Sequence, residues 1–277
     1  MIFGSRIMLA IIIAAVCLRS SFVLAKTAEE YIGNGINAGD AGNLTRAISD
    51  FTKAIEINPR LADSYNFRGF AYAQTGDFPQ AISDFTKAIE VNPNLADAYG
   101  NRGYANKAQG NFPQAISDLS KAIEINPNYA EAYSNRGGVY YEQGNLSQAI
   151  SDSTKAIEIN SNYASPYCNR GLAYSDQGNL PQAISDFTKA IELNPNIAMA
   201  YNDRGNAYVK QGKLSLAIID FTKAIESNPN YAKAYYNRGD AYDKQKEFDK
   251  ARSDKHQAEL LGYKSINALL KGIESVK

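Results

Sequence analysis

The 277-residue chain contains one histidine, two cysteines, three methionines and no tryptophan. With His256 as its only imidazole, it has no partners for a histidine-based triad or metal site. An excess of one charge is also missing, since 29 Lys and Arg balance 29 Asp and Glu. That balance excludes a general nucleic-acid binder and gives no electrostatic reason to adhere to anionic membranes. Gly33-Asn34-Gly35 lacks the strand-to-helix setting of a phosphate loop. These absences predict no catalytic residue, no metal, no cofactor and no small-molecule substrate.

Long apolar runs are scarce too. The one candidate is Ile7 to Leu18, about twelve residues and too short for a hydrocarbon core of roughly 30 Å. Arg6 precedes it, and Val23-Leu24-Ala25 supplies small-to-medium residues for cleavage after Ala25. Residues 1–25 are therefore expected to be a secretory signal peptide of an exported chain, periplasmic or secreted. The rival is an uncleaved anchor, the only route to a membrane. Ala14-Ala15-Val16-Cys17 lacks the small residue expected before a lipidated cysteine. Cleavage would leave Cys168 as the sole thiol, so no internal disulfide can form and helix packing must supply stability. An inert side chain is the expected state of that thiol.

What the chain does have is period. Arg68, Arg102, Arg136, Arg170, Arg204 and Arg238 stand 34 residues apart, each with Tyr three places before and Gly immediately after. Such self-similarity predicts stacked units that bury their apolar faces against neighbours. Within Ala62–Leu95, Tyr65, Gly69, Tyr72 and Gly76 fall at helical spacing, as do Ala81, Phe85 and Ala88. Thr75-Gly76-Asp77 separates the two stripes and Asn92-Pro93 closes the unit, which gives an antiparallel helix pair. Gly76 suits a left-handed helix end, Asp77 an N-cap, and Asn92-Pro93 a helix stop. Gly69, mid-helix and repeated in all seven copies, predicts a close helix–helix approach.

These residues resemble the tetratricopeptide repeat, whose pattern is an aromatic at position 4, Gly at 8, Tyr at 11, Ala at 20, an aromatic at 24, Ala at 27 and Pro at 32. The resemblance implies an all-α, right-handed superhelical solenoid of seven repeats at 28–61, 62–95, 96–129, 130–163, 164–197, 198–231 and a degenerate 232–265. A short covering helix at 266–277 is expected to follow. Asn106 replaces Tyr in the third repeat, Ser161 replaces Pro in the fourth, and Ser153 stands where Phe85 stands in the second. The middle of the array is therefore expected to be its softest part. The seventh repeat loses its turn glycine to Lys246, its aromatic to Lys255 and its proline to Tyr263.

The arginines stand where the family usually has leucine. Asp50, Asp84, Asp118, Asp152, Asp186 and Asp220 recur at the same period, and the first repeat has Asn34 in place of Arg. Since that repeat alone lacks a predecessor, each Arg is expected to pair with the Asp of the repeat before it: Asp50–Arg68, Asp84–Arg102, Asp118–Arg136, Asp152–Arg170, Asp186–Arg204 and Asp220–Arg238. Such pairs would set register between repeats more than stability.

The family's first helices line a concave groove. Carried onto this chain, position 6 reads Asn101, Asn135, Asn169 and Asn237, with Asp203 in the sixth repeat. This resembles an asparagine ladder that holds an extended peptide, because a carboxamide offers one donor and one acceptor side to a peptide backbone. Phe67, Phe70, Tyr104 and Tyr141 make the first half of the face aromatic, and Asp63, Asp97 and Glu131 make it acidic. Lys210, Lys233 and Lys244 bring positive charge to the far end. The expected function is a non-enzymatic scaffold that binds a protein or peptide segment. The alternative is a structural, self-assembling solenoid.

Overall fold

A computed structural model describes residues 26–263. The signal peptide expected at 1–25 and the covering helix expected at 266–277 lie outside the described residues. Among the described residues are fourteen helices and no strands. In order these are α1 Ala28–Asp40, α2 Leu44–Ile57, α3 Ala62–Gln74, α4 Phe78–Val91, α5 Ala96–Ala108, α6 Phe112–Ile125 and α7 Ala130–Glu142. There follow α8 Leu146–Ile159, α9 Ala164–Asp176, α10 Leu180–Leu193, α11 Ala198–Lys210, α12 Leu214–Ser227, α13 Ala232–Lys244 and α14 Phe248–Leu260. The described residues divide into two compact units, the first ending at Ala105 and the second beginning at Asn106.

Local chemistry places each boundary. Gly76 takes φ 83° and ends α3, and Asp77 accepts a hydrogen bond from the Gln80 amide at 3.3 Å to start α4. Pro79 sits in the first turn, where its missing N–H removes no intrahelical bond. Asn92 ends α4, and its side chain accepts from the Asn94 amide at 3.1 Å. The fourth repeat keeps the same turn although Ser161 replaces proline, because Asn160 accepts from the Asn162 amide in the same way. In the seventh repeat Lys246 adopts the left-handed conformation itself, φ 65°, at a cost of about 1 kcal/mol relative to glycine.

In the first unit Phe85 packs with Ala81 and Ala105, while Ala38, Ala47 and Phe51 form the equivalent cluster one repeat earlier. In the second unit Phe221 packs with Ala217 and Ala241. Burying such a ring contributes about 1.5–3 kcal/mol. The mid-helix glycine makes room for it. A Cβ at Gly69 would lie 2.8 Å from Phe85 Cε1, and one at Gly171 would lie 2.8 Å from Phe187 Cε1. At Gly137 the facing residue is Ser153, whose hydroxyl is buried without a hydrogen-bond partner.

The arginines build a clamp different from the one expected. Arg68, Arg136, Arg170, Arg204 and Arg238 donate from Nε and Nη2 to both carboxylate oxygens of an Asp in their own repeat, at 2.7–3.0 Å. Their partners are Asp84, Asp152, Asp186, Asp220 and Asp254 respectively. The expected pairing of Asp50 with Arg68, and of the following Asp–Arg pairs in the same register, is thus corrected by one repeat. The two helices of one pair face each other across their own core, which brings Arg and Asp together there. The link to the preceding repeat is made by Nη1, which donates to a hydroxyl of Thr52, Thr86, Ser120, Thr154, Thr188 or Thr222 at 2.9–3.1 Å. The Thr52 hydroxyl donates to the Ile48 carbonyl at 2.7 Å, leaving a lone pair to accept from Arg68. Each clamp guanidinium also lies over the Tyr three residues before it, for example Arg68 over Tyr65 at 5.9 Å.

The first repeat shows what the clamp does by lacking it. Asp50 is 8% exposed, its Oδ2 has no hydrogen-bond partner, and its ion pair with the exposed Arg46 is long at 3.6 Å. Asn34→Arg is expected to fill that place and raise the stability of the first repeat by about 1–2 kcal/mol. Chemical denaturation would show a later midpoint; an unchanged one would count against the clamp as a source of stability.

Candidate partner-binding face

The first helix of each pair, odd-numbered here, carries the candidate face. In the first unit Phe70 and Tyr104 are each 49% exposed, and Asp63 and Asp97, at the start of the same two helices, are exposed as well. Phe67 is only half-buried face: its ring stacks on Phe51 with centroids 5.6 Å apart, so it belongs as much to the core as to the surface. Asn101 donates from Nδ2 to Asn66 Oδ1 at 3.0 Å.

In the second unit Asn169 donates from Nδ2 to the Ser134 carbonyl at 2.9 Å. Asn237 donates to Asn202 Oδ1 at 2.8 Å, and Asn202 donates to Asp203 Oδ1 at 3.0 Å. The amide orientations follow from the partners, since a carbonyl and a carboxylate can only accept. Each of these three asparagines thus commits an amide N–H to the preceding repeat, and the residue there, at position 5, is buried rather than facing a partner. Asn135 makes no hydrogen bond to a described residue and is half-buried.

Tyr141 is not a free aromatic anchor. Its hydroxyl donates to Asp176 at 2.8 Å, and burial followed by this bond raises its pKa. Lys210 reaches back to Ser175 Oγ at 3.1 Å and to Asp176 at 3.8 Å, so the positive charge expected there is partly neutralised. Lys107 pairs with Glu142 at 3.2 Å, and its ammonium lies 2.7 Å from where a Cβ of Gly138 would be. A side chain there would push the end of the lysine aside. Lys107, Gly138, Glu142 and Asp176 escaped the sequence reading because they are individual variations on the repeat, not parts of it.

Asp203 is the least solvated of the carboxylates here; burial raises its pKa, opposed by the Asn202 hydrogen bond and by Lys233. Burial first and Asp203 second push Cys168 up to about 12, and the same two causes push Tyr231 up to about 12. Cys168 is a free thiol. Its thiolate fraction at pH 8 should be about a thousandfold below that of an exposed cysteine. Iodoacetamide at that pH should leave Cys168 largely unmodified in the folded chain and label it on denaturation; rapid labelling of the native protein would contradict the burial.

Among the described residues no group of His, Cys, Asp and Glu is arranged to hold a metal ion, and no helix is long and apolar enough to cross a membrane.

Helix pairs of this length, glycine-against-aromatic packing and a fixed 34-residue register define a helical-repeat protein whose variable surface lies on the first helix of each pair. Sequence models described as TPR repeat match residues 103–144, 137–178 and 205–246. Two described as Tetratricopeptide repeat match 62–95 and 164–197, and 85–117 and 187–219. Together they run without a gap from residue 62 to residue 246, and the chain belongs to the tetratricopeptide repeat family. No protein of curated function matches the sequence significantly. Among solved structures, the APC/C hetero-tetramer Cut9-Hcn1 is similar at TM-score 0.74 and 20% identity, over 78% of this chain and 43% of that one. The chain thus spans less than half the length of that relative. A tetratricopeptide repeat protein from Parabacteroides merdae ATCC 43184 is similar at TM-score 0.67 and 24% identity, over 86% and 94% of the two chains. YrrB, described as a TPR protein with an unusual peptide-binding site, is similar at TM-score 0.51 and 24% identity, over 66% and 95%. At these identities the likeness is one of fold.

Proposed function

We propose that this protein is a non-enzymatic interaction scaffold that holds an extended segment of another protein along the first helices of its repeats. The observation that carries this reading is the contrast between the two faces. The second helices repeat almost the same residues, as in Phe78–Val91 and Phe112–Ile125, whereas position 9 of the first helices reads Phe70, Tyr104, Gly138, Leu172, Asn206 and Asp240. Variation concentrated on one face over a largely repeated frame is what selective recognition requires. Relatives described as peptide-binding or as parts of a multi-subunit assembly support the same reading. Export through residues 1–25 belongs to the proposal and is tested by N-terminal sequencing of the chain from its native host.

Binding is tested by selecting random displayed peptides on the full chain and measuring the affinity of the best. Leu172→Ala and Asn169→Ala should each weaken it by about tenfold. Ser185→Ala, on a second helix, should not. Equal effects on both faces, or no selectable peptide, would overturn the proposal.

A second reading, self-association, is favoured by one feature. Leu216 and Ile219 are 44% and 56% exposed on α12, where the corresponding residues of the fifth repeat are Gln182 and Ser185. A strictly monomeric chain by light scattering at high concentration would dismiss it.

A further inference from the structure

We infer that Asp203 is a cation-binding rung on the face of the second unit, which takes a lysine or arginine side chain of the bound segment while Asn169 and Asn237 accept its backbone N–H groups. The inference rests on the scaffold reading above and names what that face selects.

Three observations carry it. Each flanking rung is anchored through its amide nitrogen: Asn169 Nδ2 on the Ser134 carbonyl at 2.9 Å, and Asn237 Nδ2 on Asn202 Oδ1 at 2.8 Å. The oxygen of each accepts no hydrogen bond from a described residue. These oxygens are set to receive the N–H donors of a partner.

At the one rung between them, the carboxamide is replaced by a carboxylate. Asp203 is half-buried, and no lysine or arginine lies within 4.0 Å of it among the described residues. The nearest cation acting on it, the exposed Lys233, does so only at longer range. The buried carboxylates Asp186 and Asp220 are treated differently: each receives two guanidinium hydrogen bonds.

The carboxylate is also held in place. Asn202 is fully buried and donates to Asp203 Oδ1 while Asn237 fixes Asn202 from the other side, so the carboxylate keeps its remaining lone pairs for an outside donor. A fixed, poorly hydrated acceptor attracts a cation more strongly than a solvated one, because less water must be displaced and the field is less screened. Each acceptor of the row therefore asks for a donor, and the charged one asks for a charged donor.

The test uses the full chain and the displayed random peptides. Selected peptides should carry Lys or Arg at one fixed position. The best of them, resynthesised, should bind Asp203→Asn on the order of thirtyfold more weakly. Changing its basic residue to norleucine should cost a similar factor, and should cost nothing further in Asp203→Asn. This variant should fold normally, because Asn occupies the same position in the repeats of Asn135, Asn169 and Asn237 and can still accept from Asn202; an unchanged thermal midpoint checks that. Peptides without a basic preference, or full binding by Asp203→Asn, would overturn the inference and leave the scaffold reading standing. Failure to select any peptide would remove both.

Discussion

Asp186→Ala is expected to cost about 3–5 kcal/mol, and Asp50→Ala almost nothing. The two residues occupy the same position in their repeats, both are nearly buried, and both face the core of their own helix pair. They differ in their partner. Asp186 receives two hydrogen bonds from Arg170 at 2.8 Å, with side chains 18% and 9% exposed, so its removal leaves a largely buried guanidinium without its carboxylate. Asp50 has Asn34 opposite and an oxygen without any hydrogen bond, so removing it relieves as much as it costs. The register expected from the sequence, Asp50 against Arg68, would have made both changes damaging. Because a repeat array need not unfold as one unit, the comparison is best read from hydrogen exchange of the affected repeat together with the denaturation midpoint.

Phe187→Ser is expected to lose about 3–5 kcal/mol, and its mirror Ser153→Phe to gain about 1–3 kcal/mol. In four repeats the phenyl ring lies where the mid-helix glycine leaves room, at Gly35, Gly69, Gly171 and Gly205. Gly137 leaves the same room in the fourth repeat, but Ser153 fills little of it and buries a hydroxyl that finds no partner. Restoring the ring replaces an unsatisfied polar group with apolar contact at a position the backbone already accommodates. The third repeat is a useful contrast: Leu119 takes the place of the ring, Val139 stands where Ala105 meets Phe85, and both are fully buried. A smaller residue at one site is matched there by a larger one, which the fourth repeat lacks, since Ala173 is the residue at the next such position. Thermal midpoints of the two variants decide the matter. A loss of stability in Ser153→Phe would mean that neighbouring side chains have closed the gap.

Most of the fold was legible because glycine, proline and asparagine act locally and recur at a fixed period. Gly76, Asp77 and Asn92 do in space what their chemistry suggests in sequence. The clamp was misjudged by one repeat for a physical reason: a 34-residue period tells which residues are equivalent, but it cannot distinguish a contact sixteen residues forward from one eighteen residues back. The hydroxyls from Thr52 to Thr222 carry the same period, but nothing within one repeat ties them to the arginine of the next, and polar residues surround Asp254. On the binding face, the positions of Asn101, Asn169 and Asn237 were evident, but their hydrogen bonds to the preceding repeat were not. These bonds depend on which residue precedes each by 35 places, Asn66, Ser134 or Asn202, and no single repeat contains that information.

Hydrogen–deuterium exchange with and without a selected peptide tests the central claim most directly. The scaffold account predicts that bound peptide slows exchange in first helices, foremost α9, α11 and α13, and leaves the second helices α10 and α12 at their free rates. Protection confined to the second helices, or spread evenly over both, would contradict it.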